Sequence, residues 1–493
     1  MSGSISVPGY AANNRVPGFY FALDGSKANT ASVTRRVLLI GQQLSSSTTA
    51  AGVATLSGGP SDAIAKYGAG SQLARMVTAY RQIDTSGEVW CLPLADPAAG
   101  KPASGTITLT GSATASGTLP LYVEDQLVQV GVTLGDAAAT VATNAVTALS
   151  AIASLPVTAS VSGGTITLTA KNKGVTGNDI MLGVALLGQM GAQSIPDGLT
   201  VTTTSLSGGT GTPETLASFM ASLGDRVYDL FVHPYTDTGS LEVFKALFDN
   251  TTGRWSPMEQ LYGHGIAAIR GTYGQVTAAG MTLNDPHTTI MPISDSPSSP
   301  LVWAAQIGAW VATSMRDNPA LPVTGLALTV LPPTDASRFG RDEQNSLLYD
   351  GLSTHTVDDS GTVLIQRLIT TYQTNTSGLP DDSYLGIETL MTAAICLPDM
   401  RSYLAAQVGG YILLDDAAKI PAGAKATTAK LIGKLCVARY RYQATQLWVQ
   451  NADTFSANIV CQNAGNGEVK LLMPYDFANQ LWIIAGNAQF VKS

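Results

Sequence analysis

The chain is short of charge. Of its 493 residues only 13% are Asp, Glu, Lys or Arg, about half the ~25% of an average soluble protein. A soluble exterior usually rests on charge. Gly, Ala, Ser and Thr take that place here, and such small side chains suit close contact with other protein. A secreted β-rich protein with a Thr/Ser surface would share this composition; a subunit packed against copies of itself is the favoured reading. Cysteine is also scarce: Cys91, Cys396, Cys436 and Cys461 are scattered with no CxxC pair, which excludes a disulfide scaffold and a zinc site. No basic run and a net charge of −8 argue against a nucleic-acid partner. Apolar stretches such as Ile180–Leu187 fall far below the ~20 residues of a membrane span, so no membrane insertion is expected. The first twenty residues lack the basic-then-apolar order of a secretory signal. The chain is therefore expected in a cytoplasm during assembly, and the N-x-[ST] sequons at Asn250 and Asn375 are chance matches.

Convergent reactive groups are missing too. His233, His264, His287 and His355 are isolated, without HExxH or His-x-His spacing. No G-x-S-x-G marks a nucleophile elbow. Gly208-Gly209-Thr210-Gly211 shares glycines with a phosphate loop but is not followed by Lys-Ser/Thr. The adjacent carboxylates Asp358-Asp359 and Asp381-Asp382 read as a turn and a helix cap. No catalytic residue, cofactor or metal ligand is assigned, and the chain is not expected to be an enzyme.

What is present is an alternation of strand and helix patterns. Val37–Gly41 is a continuous apolar run, as a strand covered on both faces requires. Helices over Asp62–Tyr67 and Ser71–Arg81 follow, and the strand Val89–Pro93 completes a βαβ unit. Residues 101–205 change character. Gly105–Thr110 alternates with period two, an Ala-rich helix spans Asp136–Ile152, and Val157–Ser162, Gly163-Gly164 and Thr165–Thr169 form a hairpin. After Gly211 the α/β pattern resumes through helices at Thr212–Leu223, Leu241–Asn250 and Leu301–Met315 and strands at Val227–Val232, Gly265–Ile269 and Thr288–Pro292. Further on come a helix at Arg341–Tyr349 with Gly351 after it, a hairpin over Ser353–Val357 and Gly361–Thr371, and a helix capped by Asp381–Ser383 that runs to Ala405 with an interruption at Pro398. A helix over Ala424–Trp448 follows. The expected organisation is an N-terminal arm (1–30), a discontinuous α/β domain (31–100 plus 206–338), an inserted β-rich outer domain (101–205), a C-terminal α+β core domain (339–467) and a C-terminal arm (468–493).

Both ends are apolar, β-prone and broken by proline. Ile5–Tyr10 and Arg15–Phe21 at one end, and Val469–Pro474 and Leu481–Ile484 at the other, would be aggregation hazards if left unpaired. They make sense as strands donated to another chain. Val16, Phe19, Tyr20, Phe21, Leu471, Leu472, Leu481, Trp482 and Ile483 are the candidate intersubunit residues. Between Ala424 and Gln450 stand Lys425, Lys430, Lys434, Arg439 and Arg441 with no acid, a docking surface for an acidic partner.

Arg15-Val-Pro-Gly-Phe-Tyr-Phe21, Arg36-Val-Leu-Leu-Ile-Gly-Gln-Gln43, Gly70-Ser-Gln-Leu-Ala-Arg-Met-Val77 and Glu88-Val-Trp-Cys-Leu-Pro-Leu94 resemble the N-terminal part of Mu-like phage tail sheath proteins. Glu343, Leu347, Gly351, Gly361–Thr371 and Pro380–Tyr384 are similar to the broader contractile-sheath family. The resemblance implies stacked six-fold rings around a tail tube, with terminal arms adding strands to a sheet in neighbouring subunits. It implies contraction on a baseplate signal that drives the tube through the host envelope for genome ejection, without nucleotide hydrolysis. Val363, Ile365, Arg367 and Ile369 would lie in the strand-accepting core, and the basic helix would face the tube. Implied partners are further copies of the chain, the tube protein, and baseplate and tail terminator proteins, within a virion tail. A tailocin or other contractile injection sheath would share these features; an α/β enzyme with a carbohydrate-binding β insertion is the alternative of another class.

Overall fold

β1 (Arg36–Gln42) is buried along nearly its whole length, on both faces, which explains why its sequence does not alternate. A computed structural model describes residues 35–490; the N-terminal arm with Val16, Phe19, Tyr20 and Phe21 lies outside the described residues. After β1 come β2 (Thr55–Leu56), α1 (Pro60–Tyr67), α2 (Gln72–Ile83) and β3 (Glu88–Leu94). The Ser71 side chain caps α2 by accepting from the Ala74 amide, and Leu73, Met76, Val77 and Tyr80 form its buried stripe, the i, i+3, i+4, i+7 spacing of one helical face.

Residues beyond β3 form β4 (Ser104–Gly111), β5 (Gly117–Val123), β6 (Gln126–Val132), α3 (Ala138–Ala151), β7 (Val157–Ser162), β8 (Thr165–Ala170), β9 (Leu182–Val184) and β10 (Leu199–Ser207). They make two sheets, β10-β4-β8-β7 and β6-β5-β9, around a core of their own that includes Ile107, Leu121, Val130, Leu149 and Ile166. The two near-identical TITLT strands are antiparallel neighbours, Ile107 opposite Ile166. Gly163, at φ 58 in the β7–β8 turn, supplies a conformation that L side chains rarely adopt.

The chain returns through α4 (Leu216–Ala221), β11 (Leu230–Val232), α5 (Thr238–Phe248), β12 (His264–Arg270), α6 (Tyr273–Gly280), β13 (Thr288–Ile293) and α7 (Pro300–Asp317). The resulting sheet runs β13-β12-β11-β1-β3-β2, parallel except for β2 at its edge. α2 and α7 cover one face around Trp303; α4 and α5 cover the other around Phe231, Phe244 and Phe248.

The remainder comprises β14 (Ala327–Leu328), α8 (Arg341–Tyr349), β15 (Thr354–Val357), β16 (Val363–Arg367), α9 (Ile387–Val408), β17 (Ile412–Leu414), β18 (Ala426–Thr428), α10 (Ala429–Thr445), α11 (Ala452–Asn458), β19 (Val460–Gly465) and β20 (Glu468–Leu472). Three expectations are corrected here. Asp381 does not cap α9: it binds the amide and hydroxyl of Ser383 in a local turn, and the helix starts at Ile387 after Gly386. Pro398 does not interrupt α9, which continues to Val408 at the cost of one backbone hydrogen bond. The basic helix begins at Ala429, because Thr427 and Thr428 extend as β18 and the Thr428 hydroxyl caps Leu431.

Candidate assembly surfaces

β19 and β20 form a two-stranded antiparallel hairpin, with Val460 opposite Leu472 and Cys461 opposite Leu471. Cys461, Asn463, Val469 and Leu471 are half-buried on the face toward α10, while Val460 and Leu472 are a cross-strand apolar pair open to solvent. Neither outer edge has a strand partner among the described residues. An isolated two-stranded sheet is marginal in water, and its free edges offer unpaired N–H and C=O groups to any extended chain. Leu471 and Leu472 thus pair within their own chain and do not stand in a free arm. The signal that marks this hairpin in the sequence is Asn466-Gly467 between two alternating runs; both residues adopt positive φ, as such turns require.

After the hairpin, Tyr475 and Phe477 stack at 5.4 Å and join Tyr440 and Phe455 over α10. The Ala478 amide then donates to the Trp448 carbonyl at 3.1 Å. Beyond this the chain forms no strand through residue 490, and Leu481 (72%), Ile483 (80%) and Phe490 (91%) are exposed. Leu481 and Ile483 therefore present apolar surface on a segment that pairs with no strand among the described residues; Trp482 is half-buried.

The residues expected to accept a strand are placed otherwise. β16 is the middle strand of β14-β16-β15, so both of its edges are already occupied. Val363, Ile365 and Ile369 are wholly buried, and Arg367 is the last residue of β16. A central strand has no edge to offer, so this sheet accepts nothing along β16. The parallel pair β17–β18 is open but only three residues long.

The basic stretch divides in two. Arg439 forms a bidentate ion pair with Asp399 of α9 and lies over the rings of Tyr403 and Tyr442. Its neutralising acid is forty positions away in sequence, which a local count of charge cannot register. Arg441 pairs with Asp453 at 3.3 Å on an exposed surface. Lys425, in the loop before β18, and Lys430 and Lys434 on α10 are exposed without an ion pair among the described residues.

No group of three or more His, Cys, Asp or Glu side chains is placed to hold a metal among the described residues. The four histidines are buried: His233 stacks on Phe244 at 3.8 Å, His287 on Trp255 at 4.4 Å, and His264 bonds Thr289 at 2.8 Å. Burial pushes the thiols of Cys91 and Cys436 up to about 12 and about 11, so they stay protonated and inert. The glycines of 208–211 form a neck: Lys101 and Thr210 exchange both backbone hydrogen bonds at 3.1 Å where the 101–205 segment leaves and rejoins the sheet.

That segment is also bolted to the sheet by polar side chains. Asn172 donates to the Gln43 carbonyl and to Asp96, and accepts the Gln72 amide; Gln42 donates to Asp96 and to the Lys173 carbonyl. Residues 171–176 therefore fill the carboxyl end of β1, beside the point where strand order reverses, which is the usual ligand crevice of an open α/β sheet.

Residues 208–371 match the family model for the phage tail sheath protein central domain. Over 492 residues, 99% of this chain and 100% of the relative, the sequence is 31% identical to the tail sheath protein of the Mu-like prophage FluMu of Haemophilus influenzae. The chain belongs to the phage tail sheath family. Family and relative alike are structural proteins of a contractile tail, not enzymes. Among solved structures, the sheath tail protein of Desulfitobacterium hafniense aligns at TM-score 0.49 and 11% identity, covering 94% of this chain and 97% of that one. A chain of the anti-feeding prophage baseplate aligns at TM-score 0.47 and 11% identity, covering 97% and 99%. In this sheath protein the open β19–β20 edges, the exposed C-terminal segment and the exposed lysines of α10 are the candidate assembly surfaces.

Proposed function

We propose that this sheath protein assembles as stacked six-fold rings around a tail tube, and that each copy is linked to its neighbours by strand exchange at β19–β20. The observation that carries this reading is the pairing of one two-edged hairpin with apolar, β-prone segments at both ends of the same chain. A donated strand gains ~1 kcal/mol net for each backbone hydrogen bond; several bonds plus burial of Ile483, Ile484 and the Val460–Leu472 pair make a strong joint. The domain division read from the sequence is kept, except that the C-terminal arm starts after Ala478. Lys430 and Lys434, whose side chains form no ion pair among the described residues, face the tube, whereas Arg439 serves the α9–α10 contact. A baseplate signal triggers contraction, and small gains in subunit contact, summed over many cooperating copies, drive the tube through the host envelope for genome ejection. The tail terminator closes the far end. Assembly takes place in the host cytoplasm, and the product is part of the virion tail.

Negative-stain microscopy of concentrated protein tests the reading. Hollow tubes or rings are expected from the full chain, and folded monomers from chains lacking residues 1–30 or 479–493. Truncated chains that polymerise normally would refute strand exchange. Truncated chains that fail to fold would place the arms within their own subunit.

A further inference from the structure

In the exposed run 481–490 one residue differs from the rest: Trp482 is half-buried, while Leu481, Ile483 and Ile484 around it stand open. The guanidinium of Arg367 lies 5.1 Å from its ring centroid. Two residues earlier, the Gln480 side-chain amide donates to the Ala320 carbonyl at 3.2 Å. Arg367 Nε meets no hydrogen-bond acceptor among the described residues, so the contact with the indole is the one that the structure gives to this part of the side chain. Arg367 itself is held by the β15–β16 pairing, where Thr354 stands opposite it.

We infer that Arg367 and Trp482 form a clasp that roots the C-terminal arm on the chain's own β14-β16-β15 sheet, so that only residues 483–493 reach a neighbouring copy. This rests on the strand-exchange reading above and adds where the arm is anchored. The clasp sets the length of the tether. About eleven residues beyond Trp482 span at most about 40 Å when extended, whereas an arm free from Ala478 onward would reach about 50 Å. A shorter, directed tether raises the effective concentration of the strand at one acceptor and denies it to more distant ones. Arg367 thus contributes to assembly as an anchor for a strand of its own chain, not as a residue of an open strand edge.

The test compares the full chain with Trp482→Ala, Arg367→Ala, the double variant and a chain ending at Trp482, reading the protein concentration at which light scattering and microscopy first detect assembly. The clasp predicts that each single change raises that concentration about tenfold, that the double variant is no worse than either single, and that truncation abolishes assembly. Single variants that assemble sooner would make the contact a restraining latch and overturn the inference, as would single variants with unchanged assembly beside a truncated chain that fails. A truncated chain that assembles normally would instead remove the strand-exchange reading itself. In the unassembled protein labelled with 5-fluorotryptophan, the resonance lost in Trp482→Phe should move in Arg367→Ala while the other tryptophan resonances stay; an unmoved resonance would show that no clasp forms.

Discussion

Mild acid should destabilise this protein, and the buried histidines dominate the loss. Burial holds His233 and His287 down to about 3, His355 down to about 4 and His264 well below the usual imidazole range. Each is therefore neutral in the folded chain but takes a proton near pH 6.5 once unfolded. The stability that comes from keeping them neutral is complete above about pH 6.5 and is lost as pH falls toward 4. At pH 5.5 each histidine has cost about 1.4 kcal/mol relative to pH 7.5, or roughly 5.5 kcal/mol for the four. Glu124 works in the opposite direction. Burial raises it to about 7 even though the Arg75 guanidinium pulls it down, and burial raises Asp179 to about 6, so both contributions improve as pH drops through this range and together offset about two histidines. The net loss of roughly 3 kcal/mol is a substantial part of a typical total of 5–15 kcal/mol. Denaturant unfolding of dilute, unassembled protein at pH 7.5, 6.5 and 5.5 measures it. His233→Phe keeps the stack on Phe244 and removes one titrating group, so its stability should fall by about 1.4 kcal/mol less than the parent over the same range. Parallel pH curves for parent and variant, or a flat curve for the parent, would refute the reasoning.

Asn172→Ala should cost about 2–3 kcal/mol, because it leaves the buried Gln72 amide and Gln43 carbonyl without their partner; thermal unfolding measures this, and a loss under 0.5 kcal/mol would mean that the 171–176 contact does not hold the inserted segment in place. Lys430→Glu with Lys434→Glu should weaken co-sedimentation with tube and leave self-assembly unchanged, while Asp399→Ala should lower stability by about 1–3 kcal/mol through the unpaired Arg439; unchanged tube binding in the lysine variant would remove α10 from the tube contact. Cys91 and Cys436 should resist a thiol reagent until the protein unfolds, and labelling of either at native rates would contradict their burial.

Elements whose pattern is set by nearby residues were legible in the sequence. β1, α2, β3 and the β7–β8 hairpin declare themselves through continuous burial, a 3.6-residue stripe or strict alternation. The β5–β6 hairpin was absent from the expectations although Val128, Val130 and Val132 alternate with Gln129 and Gly131, a period-two signal as clear as that of the TITLT strands. α6 is eight residues with a weakly apolar face, too short for periodicity to stand out. Features fixed by distant partners could not be read locally. Arg439 looks free until α9 brings Asp399 to it, and β16 looks like a strand with an edge until β14, thirty-six residues upstream, takes that edge. The candidate site followed the same division: apolar ends and unpaired lysines were legible, whereas the open hairpin that could receive a strand needed its Asn-Gly turn to be weighed against the 353–371 pair.

The hairpin has two edges and the chain has two ends, and this equality has a geometric result under the proposed exchange. Donor and acceptor are different surfaces, so the contact is head-to-tail and does not close by a two-fold axis. Inside a stack every edge can be filled, but the two terminal rings cannot be alike: one is left with vacant edges and the other with unplaced arms. A polymer of this kind has a direction and no internal count of its length. Whatever starts it and whatever stops it must recognise chemically different faces, one offering a strand and the other asking for it.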